Sequence, residues 1–252
     1  MAEMKKGIGY LATDSGLWIP AAHTGQISKK MPTHGTEFIS ALGRRTYFSR
    51  GTGPKSWQIS GEMPIAWAQN LQTLAEAPQR LYWASPLAQR SNLLITTTPT
   101  YGISVGLRQM GDTFATAYTL EPNRTFLLIA GTPVMPGTTI EATAYQAGGT
   151  LRLEFYNQLG TRISFTRDTP ATTTLTPIKV TATVPALATE VRVVAGSPLL
   201  FGGARLTTGG GDGLGSVGDA AFVTLHDLQV GHGKIAGKRT KISVSYELLE
   251  VN

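Results

Sequence analysis

The chain has 252 residues, 41% hydrophobic and only 15% charged, with a formal net charge of +6 and no cysteine. That length allows two compact units with separate cores, while the missing cysteines exclude a disulfide framework, a thiolate metal site and a cysteine nucleophile. The opening MAEMKKGIGYLATDSG carries lysines without an apolar segment behind them, and no later stretch approaches the ~20 apolar residues of a membrane span, so a soluble, non-secreted chain is expected.

Short strands are predicted first over Gly9 to Ala12, Arg45 to Phe48 and Trp57 to Gly61. Trp67, Leu71 and Leu74 then fall at helical spacing between Pro64, tolerated in a first turn, and Pro78, which stops a helix; the spacing predicts a single helix near Ile65 to Ala77. A strand over Leu81 to Ala84 precedes SNLLITTTPT, Ser91 to Thr100, where the texture changes from aromatic and basic to Thr-rich. Strands follow over Phe114 to Leu120, Thr125 to Ala130 and Thr138 to Tyr145.

The strongest local pattern comes next. Leu151, Leu153 and Phe155 alternate with Arg152, Glu154 and Tyr156, as a half-buried strand requires, and Asn157-Gln158-Leu159-Gly160 supplies a turn in which Gly160 can take positive φ. A hairpin from Thr150 to Arg167 is therefore expected. Ile178, Val180 and Val184 alternate with Lys179, Thr181 and Thr183, and a strand covers Val191 to Ala195. TTGGGDGLGSVG, Thr207 to Gly218, reads as an exposed crossing before strands over Phe222 to Leu225 and Ile242 to Leu248. Many short strands with one helix do not make a βαβ pattern, so a doubly wound nucleotide-binding sheet is not expected.

These boundaries divide the chain into a discontinuous domain, 1–91 plus 211–252, interrupted by a 92–210 insertion of β-strands, since the two closing strands need a sheet to join. The fold class is mainly β, with one helix in the split domain and an antiparallel β-sandwich as the insertion.

Motifs for chemistry are weak. Gly213-Leu214-Gly215-Ser216-Val217-Gly218 fits GxGxxG, yet no βαβ unit surrounds it and Lys238 and Arg239 stand where an acidic ribose partner belongs, so it reads as linker. His23, His34, His226 and His232 have no metal-ligand spacing; His226-Asp227 could suggest a charge-oriented base, against surface polar contacts. Leu214 occupies the first-glycine position of a GxSxG elbow around Ser216. Carboxylates for glycoside hydrolysis need no fixed spacing, which leaves Glu141 and Glu154 as candidates, against a solvent-face ion pair of Glu154 with a neighbour such as Arg152.

Asn123-Arg124-Thr125 is a glycosylation sequon with meaning only in a secreted chain. Tyr118, Tyr145, Phe155, Tyr156 and Phe165 could form a sugar-stacking platform or serve core and rim packing. Two basic segments, Lys29, Lys30, Arg44, Arg45, Arg50 and Lys55, then Lys234, Lys238, Arg239 and Lys241, suit loops that meet acidic neighbours in an assembly, with phosphate binding as the rival. No catalytic, cofactor-binding or metal residues are assigned, no cofactor is expected, and glycan-binding residues stay unknown.

LEFYNQLGTRIS (Leu153 to Ser164), PIKVTATVPALATEVRVVAG (Pro177 to Gly196) and GARLT (Gly203 to Thr207) resemble the closing half of carbohydrate-binding-module β-sandwiches, jelly-roll-like domains found in phage tail proteins. All four tryptophans, Trp18, Trp57, Trp67 and Trp83, precede Ser91, so the stacking Trp of such modules is missing. Arg45 to Leu94 and the closing KISVSYELLEV, Lys241 to Val251, resemble distal or minor tail proteins of long-tailed, siphovirus-type bacteriophages. The resemblance implies a tail-tube-like domain forming a homohexameric ring at the tail tip or baseplate of the virion, made in the host cytoplasm. Its partners would be further copies, the tail tube protein, the tip or hub and other minor tail proteins, with DNA only as cargo passing through the channel. It implies a structural role and no enzyme activity; the alternative is an adhesin recognising host surface glycans.

Overall fold

The computed structural model describes residues 8–22, 24–30, 33–39, 45–52, 54–86, 88, 92–94, 99–110, 113–121, 126–128, 131–208, 220–231, 235–236 and 239–251; of these, 24–25, 33–39, 45–52, 113–114, 120, 126–128, 235–236 and 239–240 are described by backbone alone. The first half runs β1 Tyr10–Ala12, β2 Trp18–Pro20, β3 Thr24–Lys30, β4 Thr33–Ile39, β5 Arg45–Thr52, β6 Ser56–Pro64, α1 Ile65–Glu76, β7 Leu81–Ala84, β8 Gly102–Met110, β9 Thr113–Leu120 and β10 Phe126–Leu128. The second half runs β11 Thr132–Pro133, β12 Thr139–Ala147, β13 Thr150–Tyr156, β14 Arg162–Phe165, β15 Thr176–Thr183, β16 Glu190–Gly196, β17 Leu200–Thr207, β18 Ala221–Val230, β19 Ile235–Ala236 and β20 Arg239–Glu250. The protein is thus mainly β, and α1 is the helix that the periodicity predicts. β2, β3, β4, β8, β11 and β19 are not among the expected strands; β2, β11 and β19 are only two or three residues long, β3 offers one large apolar residue, Ile27, and Gly106 breaks the alternation of β8.

Two compact units form, each from two pieces of chain: Met1–Trp18 with Tyr82–Ala220, and Ile19–Leu81 with Ala221–Asn252. The division expected from the sequence, 1–91 plus 211–252 around a 92–210 insertion, draws its boundaries at other points of the chain. Side-chain bonds and strand pairing hold the larger unit together. The Trp18 indole donates to the Val134 carbonyl at 3.1 Å and the Tyr82 hydroxyl to that of Leu93 at 2.7 Å, while β1 pairs with β7 through Tyr10 and Ala84, Leu11 and Trp83, and Ala12 and Tyr82. Trp18 also meets Tyr10 and Tyr82 edge-on at 6.4 and 6.2 Å. These contacts tie residues 10–18 and 82–94 to the strands that follow them.

The larger unit is a sandwich of two antiparallel sheets. One has the order β10-β16-β13-β14, with β11 also on β16; the other has the order β15-β12-β17-β9-β8. Alternation aims Leu151, Leu153, Phe155, Val191 and Val193 from the first and Ile140, Ala142, Ala144, Phe201 and Leu206 from the second into the core. The chain passes between the sheets at Gly148-Gly149, both at positive φ (71° and 65°). A Cβ on Gly149 would collide with the Gly196 carbonyl oxygen, so glycine is required there.

In the smaller unit the sheet order is β18-β20-β6-β3, with β19 on β20 and β4-β5 as a separate ribbon. Trp57, Ile59, Met63, Val223, Val244, Tyr246 and Leu248 are buried on one face, and α1 packs on this sheet and buries Ala68, Leu71 and Leu74. The other face carries Gln58, Ser60, Glu62, Ser243, Ser245 and Glu247. The Tyr246 hydroxyl is buried and donates to the Ala21 carbonyl at 2.7 Å, with burial pushing its pKa upward.

Candidate functional site

The face of β13, β14 and β16 that points away from the sandwich core gathers the densest chemistry among the described residues. Its register is set by the β13–β14 turn. The Asn157 side-chain oxygen accepts the N–H groups of Leu159 (3.0 Å) and Thr161 (2.9 Å), and Gly160 adopts φ 72°, as its sequence position predicts. Glu154 then stands between Phe165 on β14 and Arg192 on β16, while Tyr156 stands between Arg162 and Glu190. Past β14 the chain stays beside β13, Thr166 and Thr169 using their hydroxyls to accept the N–H groups of Leu153 (2.9 Å) and Leu151 (2.8 Å). That course brings Asp168 to Arg152 at 3.4 Å.

Glu154 is only 4% exposed although it lies on an outward face. Its Oε1 accepts from Arg152 Nε (2.9 Å), Arg152 Nη2 (2.7 Å) and Arg162 Nη1 (3.0 Å), and its Oε2 accepts from the Tyr156 hydroxyl (2.7 Å). Burial alone would push this carboxyl upward, but the bonds from Tyr156 and Arg152 and the two guanidinium charges outweigh it and hold the group below the usual glutamate range. Burial, then the adjacent Glu154 carboxylate, raises Tyr156. Arg192 bonds Glu190 at 2.5 Å, and its guanidinium carbon sits 4.0 Å from the Tyr156 ring centroid. Phe165 is 58% exposed, with the guanidinium carbons of Arg162 and Arg152 at 5.2 and 6.0 Å from its centroid. The result is a platform of rings and guanidinium groups above a sequestered carboxylate.

The sequence candidates separate accordingly. Glu154 does pair with Arg152, its neighbour along the strand, and with Arg162 across to β14. Glu141 pairs with Lys179 at 2.9 Å on the outward face of the other sheet. With the sandwich core between them, the two carboxylates cannot flank one glycosidic bond. Of the aromatic candidates, Phe155 is core and Tyr118 and Tyr145 are half-buried on the second sheet; Tyr156 and Phe165 share the platform. Trp83 is fully buried.

His226 is exposed, its Nε2 2.9 Å from the Thr224 hydroxyl, and the neighbouring Asp227 takes φ 51° where the pairing of β18 with β20 shifts register. No histidine–aspartate pair forms there among the described residues. His23, His232, the Gly213–Gly218 motif, Asn123-Arg124-Thr125 and Lys234 and Lys238 lie outside the described residues, as does the side chain of His34. Among the described residues no group of three or more His, Asp or Glu side chains gathers as a metal site, and no helix is long and apolar enough to cross a membrane. Sequence reasoning missed Arg162 and Arg192. Their outward alternation was legible, whereas the partner strand that places Arg192 beside Tyr156 was not.

No family model matches the sequence, and no curated protein matches it. Among solved structures, the enzymatically active domain of tailspike protein 4 of bacteriophage CBA120 aligns with 48% of this chain at 14% identity and a TM-score of 0.34, and this chain covers 20% of that structure. A carbohydrate-binding module of Cellvibrio mixtus lichenase 5A, in complex with cellotriose, aligns with 45% of this chain and 97% of its own at 19% identity and a TM-score of 0.27. The infectious bursal disease virus VP2 subviral particle aligns with 91% of this chain and 73% of its own at 7% identity and a TM-score of 0.25. Likenesses at these scores assign neither fold nor function.

Proposed function

We propose that this protein is a non-enzymatic structural component of a bacteriophage virion, a distal or minor tail protein that forms a ring at the tail tip and joins the tail tube to tip and adhesion components. The observation that carries the reading is the build of the smaller unit. Its sheet buries one face, where α1 packs, and presents Ser, Gln and Glu on the other. The sheet ends at β3, whose Gln26 to Lys30 are all exposed, and β4-β5 forms a ribbon of its own. An open strand edge and a separate ribbon are the parts a head-to-tail contact can use, and such contacts close into rings. The resemblance of Arg45 to Leu94 and Lys241 to Val251 to tail proteins supports the same reading.

The test is the mass of the purified chain by light scattering across a concentration range, followed by negative-stain imaging. Closed rings or concentration-driven assembly are expected; a monomer at every concentration moves the second reading into first place. That second reading, a glycan-recognising adhesin, is supported by the exposed Phe165 platform on the sandwich.

A further inference from the structure

An exposed phenyl ring on the solvent side of an antiparallel sheet needs a reason, because that side is ordinarily polar. Phe165 lies on a fixed surface. The Arg162 guanidinium beside it is held by Glu154 at 3.0 Å, and the Arg192 guanidinium is held over Tyr156 by Glu190. Each guanidinium has five N–H donors in a rigid plane. Among the described residues Arg162 engages Nη1 and Arg192 engages Nε, which leaves further N–H groups on side chains that are 48% and 33% exposed. Asp168 and Glu190, 46% and 34% exposed at their side chains, keep acceptor oxygens beside them.

We infer that this face, built from Phe165, Arg162, Arg192, Asp168 and Glu190, binds a neutral saccharide chain. The inference rests on the adhesin reading and supplies its site and ligand class. A sugar ring has an apolar C–H face that stacks on an aromatic ring and a rim of hydroxyls that both donate and accept. The platform offers the matching set: a phenyl face, planar donors from two arginines and carboxylate acceptors. Charge decides the class. The guanidinium groups of Arg152, Arg162 and Arg192 are each matched by a carboxylate in the same network, those of Glu154, Asp168 and Glu190, which leaves the exposed Arg167 next to Asp168 outside the balance and gives a polyanion little net attraction here. An acidic polysaccharide or nucleic acid would instead meet carboxylates at the rim. Glu154 is a positioning residue: at 4% exposure it holds Arg162 and Tyr156 in place from beneath the surface.

The experiment titrates the full chain with dextran, laminarin and mannan as neutral probes and polygalacturonate as an acidic one, by affinity electrophoresis and calorimetry at low and high salt. Expected is binding of a neutral probe that is insensitive to salt and weakened at least about fivefold by Phe165→Ala and by Arg162→Ala, with unchanged circular dichroism and thermal midpoint for Phe165→Ala. Binding of polygalacturonate alone, falling with salt, overturns the neutral class. Neutral binding that survives both substitutions overturns this face as the site while leaving the adhesin reading standing. No binding to any probe overturns the inference, and light scattering on the same sample reports on the ring reading independently.

Discussion

The side-chain oxygen of Asn92 accepts the backbone N–H of Leu206, 114 residues further along the chain, at 3.0 Å. The same oxygen accepts the Leu94 N–H at 3.0 Å, and the amide nitrogen donates to the Ala204 carbonyl at 3.1 Å. Asn92 is fully buried, so these bonds replace water for three backbone groups. Asn92→Ala is expected to cost about 3 kcal/mol, since it strands buried donors and an acceptor together. Chemical denaturation followed by fluorescence measures it; a change within the scatter of surface substitutions would show that the bracket is dispensable.

Glu154 gives the protein a pH signature. Its folded-state pKa is depressed, so the stability it contributes is present above the ordinary glutamate range near ~4.3 and is lost as pH falls through the lower, folded value. Glu154→Gln removes that dependence, takes the carboxylate from Arg162 and leaves Arg152 with Asp168 alone, at a cost of about 1–2 kcal/mol at neutral pH because both guanidinium groups stay partly exposed. Melting temperatures of the two proteins are expected to converge as pH drops below the glutamate range. Parallel curves down to strong acid would contradict the role given to the network.

Gly149 and Gly160 together separate backbone conformation from collision. The φ of 65° at Gly149 and the Gly196 carbonyl lying where a Cβ would go predict that Gly149→Ala destabilises the sandwich by more than about 1 kcal/mol. Gly160→Ala, also at positive φ but with open space around it, should cost less. Equal losses would mean that φ, and not the collision, sets the penalty.

In α1, Leu71 is fully buried where the helix packs on its sheet, and Leu71→Ala is expected to cost about 3 kcal/mol. Gln72, on the exposed side of the same helix, should change to Ala with no loss beyond a few tenths of a kcal/mol. A proteolysis time course under native conditions separates the two.

Where one face of an element is buried, the sequence was readable. The β13–β14 hairpin followed from alternation and the Asn157 to Gly160 turn, and the helix from Trp67, Leu71 and Leu74. Edges were not readable: β3 carries a single large apolar residue, and β8 is interrupted at Gly106, where φ is 90° and the register shifts. At the candidate site, alternation placed Glu154 outward beside Arg152 but did not foresee its burial, because the covering groups, Phe165 and Arg162, arrive from β14. The grouping of Trp18 with Val134 and of Asn92 with Ala204 depends on tertiary bonds between distant residues, which local pattern does not encode.

In the smaller unit β20 lies between β6 and β18, yet it is the last of the three to be made. A ribosome that has delivered β6, α1 and β18 has produced a helix and strands with no middle strand to bind them. The sheet cannot close until Arg239–Glu250 has left the exit tunnel, so this unit folds only once β20 has been made. Chaperone dependence during expression should therefore fall on the smaller unit, and a product that stalls short of β20 would expose both faces of an unfinished sheet.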